Sequence, residues 1–222
     1  MNPDPDFATA ASLLAEPARA AILARLLDGR SWTATELAKA AAIAPSTGSS
    51  HLARLLDQGW VAVHPQGRHR YYRLADDGIA SFLESFACVS SAARARTPGE
   101  AHAGAALREC RLCYDHLAGR VGVALTQGLL ARRWLDPSFH LTDAGRAGLK
   151  DLGLELPGES GRGCMDWSER RLHLAGPLGR SLVHALIGAA WLQRDPRSRA
   201  LWVTPLGRER LGPQLSGWPP PA

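Results

Sequence analysis

Cysteine and histidine are the side chains whose spacing in this sequence suits chemistry. The run "CRLCYDHLAG" sets Cys110, Cys113 and His116 at intervals of three in a chain with four cysteines. On a helix, steps of three rotate by about 300°, so the three side chains drift slowly around one side. Cys164 and His173 stand in "CMDWSERRLHLAG". If the two segments pack about a pseudo-twofold axis, this mixed Cys/His set comes within reach of one ion. Thiolates and neutral imidazoles are ligands for zinc or another thiophilic metal. Haem is a further candidate, because Cys or His can serve as an axial ligand, although the Cys-x-x-Cys-His attachment is absent. A thiolate beside Arg108 or Arg111 could instead report oxidation. Against all of these, no second close pair completes a zinc signature, and cysteines three apart on a Leu/Ala helix also pack into cores. Cys88 stands alone and reads as a core or dimer-face residue.

The last residues of that run lead to the elements that must carry them. "HLAG" at His116 recurs at His173, and each copy continues with an apolar helix, a tryptophan (Trp134 or Trp191), Leu-Thr or Val-Thr, and Gly145-Arg146 or Gly207-Arg208. Agreement of several elements in register points to duplication. Each copy reads as helix–strand–helix, with the strands at 139–142 and 200–204. The halves resemble the end of a winged-helix unit that has lost its basic recognition helix, so effector binding or subunit contact is expected of them rather than DNA reading. Trp134, Trp167 and Trp191 are candidates to line a small-molecule effector pocket, or they are core.

The bulk properties narrow the setting. The 222 residues carry a formal net charge of +5, which favours a polyanionic partner. No basic leader and no run approaching eighteen apolar residues is present, so no membrane is expected and a cytoplasmic location with reduced thiols is. No nucleophile elbow, phosphate loop or paired-glutamate helix motif appears, so no enzyme is expected and no catalytic residue is assigned. A Cys-dependent enzyme and a non-DNA-binding interaction protein are the remote alternatives.

The first hundred residues carry the clearer pattern. Residues 6–28 read as a packed helix or close pair of helices, broken at Pro17 and ended at Gly29. Thr33 or Thr35 caps a short helix through Glu36 and Ala41. Pro45 interrupts, and Ser46 opens a second helix to about Gln58. There Leu52, Leu55 and Leu56 face inward, while Ser46, Thr47, Ser49, Ser50, His51 and Arg54 supply small or basic groups at the exposed start. Such a helix fits a major groove. Trp60 to His64 and His69 to Leu74 read as strands joined by a turn at Pro65, Gln66, Gly67 and Arg68. The resulting wing presents His64, Arg68, His69 and Arg70 to backbone or minor groove.

Through "TELAKAAAIAPSTGSSHLARLLDQGWVAVHPQGRHRYYRLADDG" this stretch resembles the ArsR-type family of bacterial winged helix-turn-helix repressors, over about Leu13 to Leu83. The resemblance implies a homodimer bound to double-stranded operator DNA and released by an effector, with Ser46 to Arg54 as recognition helix and His64 to Tyr72 as wing. Two departures matter. Metal-sensing members often carry a cysteine pair in the helix before recognition, where this chain has Glu36-Leu37-Ala38-Lys39-Ala40. Others use acidic and His ligands on the helix after the wing, and residues 75–93 contain no His. The expected organisation is mainly α with short β-hairpins. A winged helix-turn-helix DNA-binding and dimerisation domain spans 1–95, a linker 96–104, and a duplicated effector-sensing or dimerisation domain 105–222. The expected function is a sequence-specific DNA-binding regulator controlled by an effector or thiol state, or a thiophilic-metal or haem sensor.

Overall fold

Helix capping sets the first elements. In the computed structural model, which describes residues 6–90 and 97–212, the Asp6 carboxylate accepts from Thr9 N and opens α1 (Phe7–Leu14); Glu16 caps α2 (Pro17–Leu26), with Pro17 in its first turn. The expected close pair is therefore two helices. Leu13, Ile22, Leu23 and Leu26 from these helices are fully buried. The buried Arg19 guanidinium donates to the carbonyls of Ser12 and Leu13 at 2.8 and 3.1 Å, satisfying the open end of α1.

Trp32–Thr33 (β1) leads into α3 (Ala34–Ala40). Thr33 and Glu36 form a reciprocal capping box there, worth about 1 kcal/mol. Ala44 and Pro45 then open α4 (Pro45–Asp57), with Pro45 at the helix start, where its missing N–H costs nothing. The two helices cross closely because Gly48 faces Ala38: a Cβ there would lie 2.8 Å from the Ala38 Cβ. Strands β2 (Val61–Gln66) and β3 (His69–Leu74) follow, in the sheet order β1-β3-β2. Pro65 pairs with Arg70 inside the ladder, so the turn is only Gly67 and Arg68, tighter than the expected Pro65–Arg68. Gly67 takes φ +57, which is why glycine stands there.

The chain divides into two compact units, Met1–Phe82 and Leu83–Ala222. The division falls inside α5 (Asp77–Val89), not in the expected linker at 96–104. Residue 96 lies outside the described residues, and most of the remainder is the start of α6 (Pro98–Glu109), capped by Thr97. A proline at the first position and a threonine cap make this a helix start, although its Ala, Gly and Thr-Pro content reads as linker.

In the second unit the duplication is explicit. The first copy holds a hairpin of β4 (Arg111–Cys113) and β5 (His116–Ala118), then α7 (Gly119–Ala131) and α8 (Asp143–Asp151). The second holds β6 (Arg162–Met165), β7 (Leu172–Ala175), α9 (Gly176–Gly188), β8 (Leu192–Arg194), β9 (Leu201–Val203) and α10 (Pro205–Leu211). A hairpin therefore precedes the expected helix–strand–helix. The strand expected at 139–142 is reduced to isolated bridges, Leu135 to Leu141 and His140 to Ser160, while 201–203 pairs fully with β8.

Local details repeat in both copies. Gly119 and Gly176 open the long helices at φ +79 and +76; Arg133 and Ala190 close them at φ +57 and +58. Thr142 and Thr204 each accept from a glycine amide at 3.0 Å and donate back to the carbonyl of Arg133 or Ala190. A Cβ on Gly145 or Gly207 would lie 2.1 or 2.2 Å from the carbonyl oxygen of Trp134 or Trp191. Packing between the copies is crosswise, with α7 against β7 and α9 against β5. The Thr126 hydroxyl of α7 receives the Leu174 amide at 2.9 Å. The shared core holds Leu112, Leu117, Leu125, Leu174, Leu182 and Trp191.

Gly145→Ala and Gly207→Ala should each destabilise the second unit by about 1–3 kcal/mol or more, because the new methyl meets backbone. Gly104→Ala, in the open middle of α6, should instead stabilise by up to about 1 kcal/mol. Urea unfolding followed by circular dichroism checks the contrast.

Candidate functional site

The first candidate surface is built by α4 and the wing. Ser46, Thr47, Ser49, Ser50 and Arg54 are exposed on α4, and His64, Arg68, His69 and Arg70 are exposed on β2, the turn and β3. Thr35, Ser49, Ala53, Arg68, His69 and Arg70 line one shallow groove between α3, α4 and the wing. Of the exposed polar residues on α4, Ser49 therefore faces the same open space as the basic hairpin. The Ser49 and Ser50 hydroxyls donate to the carbonyls of Pro45 and Ser46, one turn back, which leaves their acceptor lone pairs outward. His51 departs from the expectation. It is half-buried, with Nδ1 at 3.3 Å from Arg19 and Nε2 at 3.4 Å from Glu16, so it fixes α4 against α2.

The second candidate is the thiol and imidazole set. Cys110, Cys113 and His116 are not on a helix: α6 ends at Glu109 and the chain turns extended at Cys110, φ −153. In an extended strand, residues three apart point to opposite faces. Cys110 accordingly enters the hydrophobic core, where burial pushes its thiol well above the ordinary range. Cys113 and His116 are cross-strand partners at the tip of the hairpin, joined by Tyr114 and Asp115. Cys164 and His173 are partners in the equivalent hairpin.

These four side chains meet. The ligand atoms of Cys113, His116, Cys164 and His173 all lie within 4.8 Å of one another. The two Sγ atoms are 4.0 Å apart and the two Nε2 atoms 3.1 Å. Cys113, His116 and His173 are buried and Cys164 is half-buried. The thiols titrate as a pair. The Cys113 S–H directed at Cys164 lowers the Cys164 thiol far below its ordinary value, against its burial, and both imidazoles add to this. The same contact, followed by burial, raises Cys113.

Each imidazole is backed by a carboxylate. Asp115 faces His116 Nδ1 at 3.0 Å and also receives Arg180 of α9. Asp166 lies 3.4 Å from His173 Nδ1, at ion-pair range though outside hydrogen-bond geometry. Asp166 is fully buried and accepts from Arg111 at 2.9 Å, from the Gly119 amide at 2.7 Å and from the Ser168 hydroxyl and amide. Burial alone would raise this carboxyl. His173, Arg111, Ser168 and Gly119 outweigh it and hold the group well below the usual carboxylate range. Burial likewise works to lower His173, and Asp166 with Cys164 reverses it, raising the imidazole. Arg111 is itself fully buried, donates to Leu107 O and Ser168 Oγ at 3.1 Å each, and lies 4.4 Å over the Trp167 ring.

The expected tryptophan pocket resolves into separate structural roles. Trp191 belongs to the buried core and Trp134 packs against it, its ring filling the space beside Gly148. Trp167 covers Arg111. Cys88 is half-buried, its thiol directed at the Glu84 carbonyl at 3.5 Å, and burial raises it. From sequence, Asp115 and Asp166 read as ordinary helix-end or ion-pair groups and Arg111 as a neighbour of a reactive thiolate, whereas the structure sets all three behind the imidazoles. The Cys-x-Asp spacing shared by Cys113 and Cys164 was the signal that marked the two carboxylates.

Comparison with known proteins places the first unit. A family model described as a helix-turn-helix domain matches residues 14–64. The chain is 38% identical over 214 residues to the HTH-type transcriptional regulator YdfF of Bacillus subtilis (strain 168), covering 92% of this chain and 95% of that one. Among solved structures, NolR from Sinorhizobium fredii is 25% identical, with 42% of this chain and 100% of that chain covered and a TM-score of 0.36. The cadmium metal-sensor CMTR from Mycobacterium tuberculosis is 34% identical, with 41% and 95% covered and a TM-score of 0.34.

Asp166→Asn leaves the Arg111 guanidinium buried without its anion. It should cost the second unit about 3–5 kcal/mol, measured by urea unfolding, whereas replacing the exposed Asp151 should cost under about 1 kcal/mol.

Proposed function

We propose that this chain, which belongs to the helix-turn-helix transcriptional regulators, carries an ArsR-type winged N-terminal domain and works as a cytoplasmic homodimeric repressor on a double-stranded operator, controlled through its duplicated unit by an effector or thiol state. The observation that carries the operator reading is the shared groove between the Ser49–Ala53 side of α4 and the basic wing tip. Small hydroxyl side chains at Ser46, Thr47, Ser49 and Ser50 let the helix approach base edges closely, and the exposed Arg54, its guanidinium 3.3 Å from Ser12 Oγ, adds positive charge beside them. Arg68 and Arg70 on the hairpin are placed to neutralise phosphates or enter the minor groove. The net charge of +5 favours the same partner.

Support for the dimer comes from α5. Phe82, Phe86 and Val89 are exposed at 45%, 45% and 82% and recur at helical spacing, forming an apolar stripe along one side of a single helix. An apolar stripe on a surface helix is suited to burial against a second copy.

Two measurements test this reading. An operator duplex selected by footprinting should be bound with a steep salt dependence. Arg68→Ala or Arg70→Ala should weaken binding about tenfold and flatten the log–log salt slope by roughly one unit per lost phosphate contact. Equal affinity for a scrambled duplex, or no change in either variant, would remove the groove from the contact surface. Separately, Phe86→Glu with Val89→Glu should shift the protein from dimer to monomer in sedimentation analysis and lower operator affinity. A dimer that persists would place the subunit interface elsewhere.

A further inference from the structure

We propose that Cys113, His116, Cys164 and His173 form a closed, four-ligand site for a divalent thiophilic metal of the zinc type, in which each copy of the duplicated unit contributes one cysteine and one histidine. The metal joins the two hairpins from inside the protein. The site is independent of the DNA-binding groove and stands or falls without it.

The geometry makes the first case. With Zn–S near 2.3 Å and Zn–N near 2.0–2.1 Å, a tetrahedron has S···S and N···N edges of about 3.8 and about 3.3 Å. The observed separations are 4.0 Å between sulfurs and 3.1 Å between imidazole nitrogens. The four donors thus already sit close to tetrahedral edges, and all pairs fall within 4.8 Å.

Hydrogen bonding makes the second. Asp115 at 3.0 Å from His116 Nδ1 requires the ring proton on Nδ1, which leaves Nε2 of a neutral imidazole as a bare acceptor. Asp166 at 3.4 Å from His173 Nδ1 favours the same tautomer electrostatically. The two Nε2 atoms then face each other at 3.1 Å, a contact that needs either a proton shared between them or a cation beside them. Carboxylates behind ligating histidines are the usual outer partners of zinc, since they fix the ring orientation and raise ligand basicity.

The donor chemistry selects the ion. Two thiolates neutralise a dication, so the occupied site carries no net charge where three of its four ligands are buried. On binding, the protons remaining on the two thiols and any proton shared between the two imidazoles are released to solvent and no electron moves. Four protein ligands leave no open position, which is the pattern of a structural zinc centre. Soft sulfur excludes magnesium and calcium, and a tetrahedral S2N2 set disfavours the tetragonal preference of copper(II) and nickel(II). Cys110, in the core, and Cys88, on α5, are outside the set.

The test uses the full chain, reduced and purified without an affinity metal. Elemental analysis should find about one zinc per chain. After removal by a chelator, titration with Co2+ should produce the intense visible bands of a four-coordinate ion and a thiolate-to-cobalt charge-transfer band, with Zn2+ displacing Co2+. Cys113→Ser and Cys164→Ser should abolish these bands, Cys110→Ser and Cys88→Ser should keep them, and Asp115→Ala should weaken Zn2+ affinity about 10–100-fold. Should the ligand variants fail to fold, alkylation of the wild-type chain followed by mass spectrometry decides the matter: Zn2+ should protect Cys113 and Cys164 and leave Cys88 reactive. A weak, six-coordinate cobalt spectrum would overturn the proposal. So would metal binding that survives the Cys113→Ser/Cys164→Ser double substitution, unprotected Cys113 and Cys164, or a metal-free chain joined by a Cys113–Cys164 disulfide.

Discussion

The carboxylate of Asp166 is the constraint around which the second unit is arranged. It is fully buried and acidic, so it persists only because Arg111 and the Gly119 amide, both from the first copy, meet it together with Ser168 and the approach of His173 from its own copy. One charged group thereby fixes the Arg111 strand, the start of α7 and the orientation of one imidazole. A buried ion pair of this kind is weak evidence for stability compared with hydrophobic residues of equal volume. Its effect here is positional, because the carboxylate is satisfied by groups from both copies at once.

That docking explains why the copies are not independent subdomains. Each long helix packs across to the other copy's hairpin, α7 on β7 and α9 on β5. Asp115 repeats the logic in reverse, belonging to the first copy and receiving Arg180 from α9 of the second. Neither hairpin could hold its shape alone. Strands of three or four residues bury too little, and both lean on helices supplied by the other copy.

Much of this was legible in the sequence because it rests on local rules. Thr33 caps a helix, Pro17 starts one, and Gly59 and Gly67 take left-handed turns, whereas α4 opens at Pro45 and not at the expected Ser46. The "HLAG" repeat likewise announced the duplication. What was not legible was the hairpin at Cys113. Intervals of three imitate a helix, and the turn is made by Tyr114 at φ +61, where a bulky residue gives no glycine or asparagine signal. The helical reading grouped Cys110 with Cys113, while period-two geometry separates them into core and cluster. His51 was likewise assigned outward from its place at an exposed helix start, because the buried Arg19 that draws it inward lies in a different helix.

The same geometry shows how near the cluster lies to α5. The helix is continuous from Asp77 to Val89, and its residue Glu84 is buried at 2% exposure and paired with Arg199. Arg199 also donates to the Leu112 carbonyl at 3.2 Å, next to Cys113 in the strand. A buried Glu separated from its Arg would be left as an uncompensated charge, so α5 cannot slide or rotate at Glu84 without moving Arg199 or breaking the pair. Any rearrangement of β4 that shifts Leu112 therefore acts on the same guanidinium. One residue, Arg199, is thus held simultaneously by the cluster-bearing strand and by Glu84 of α5.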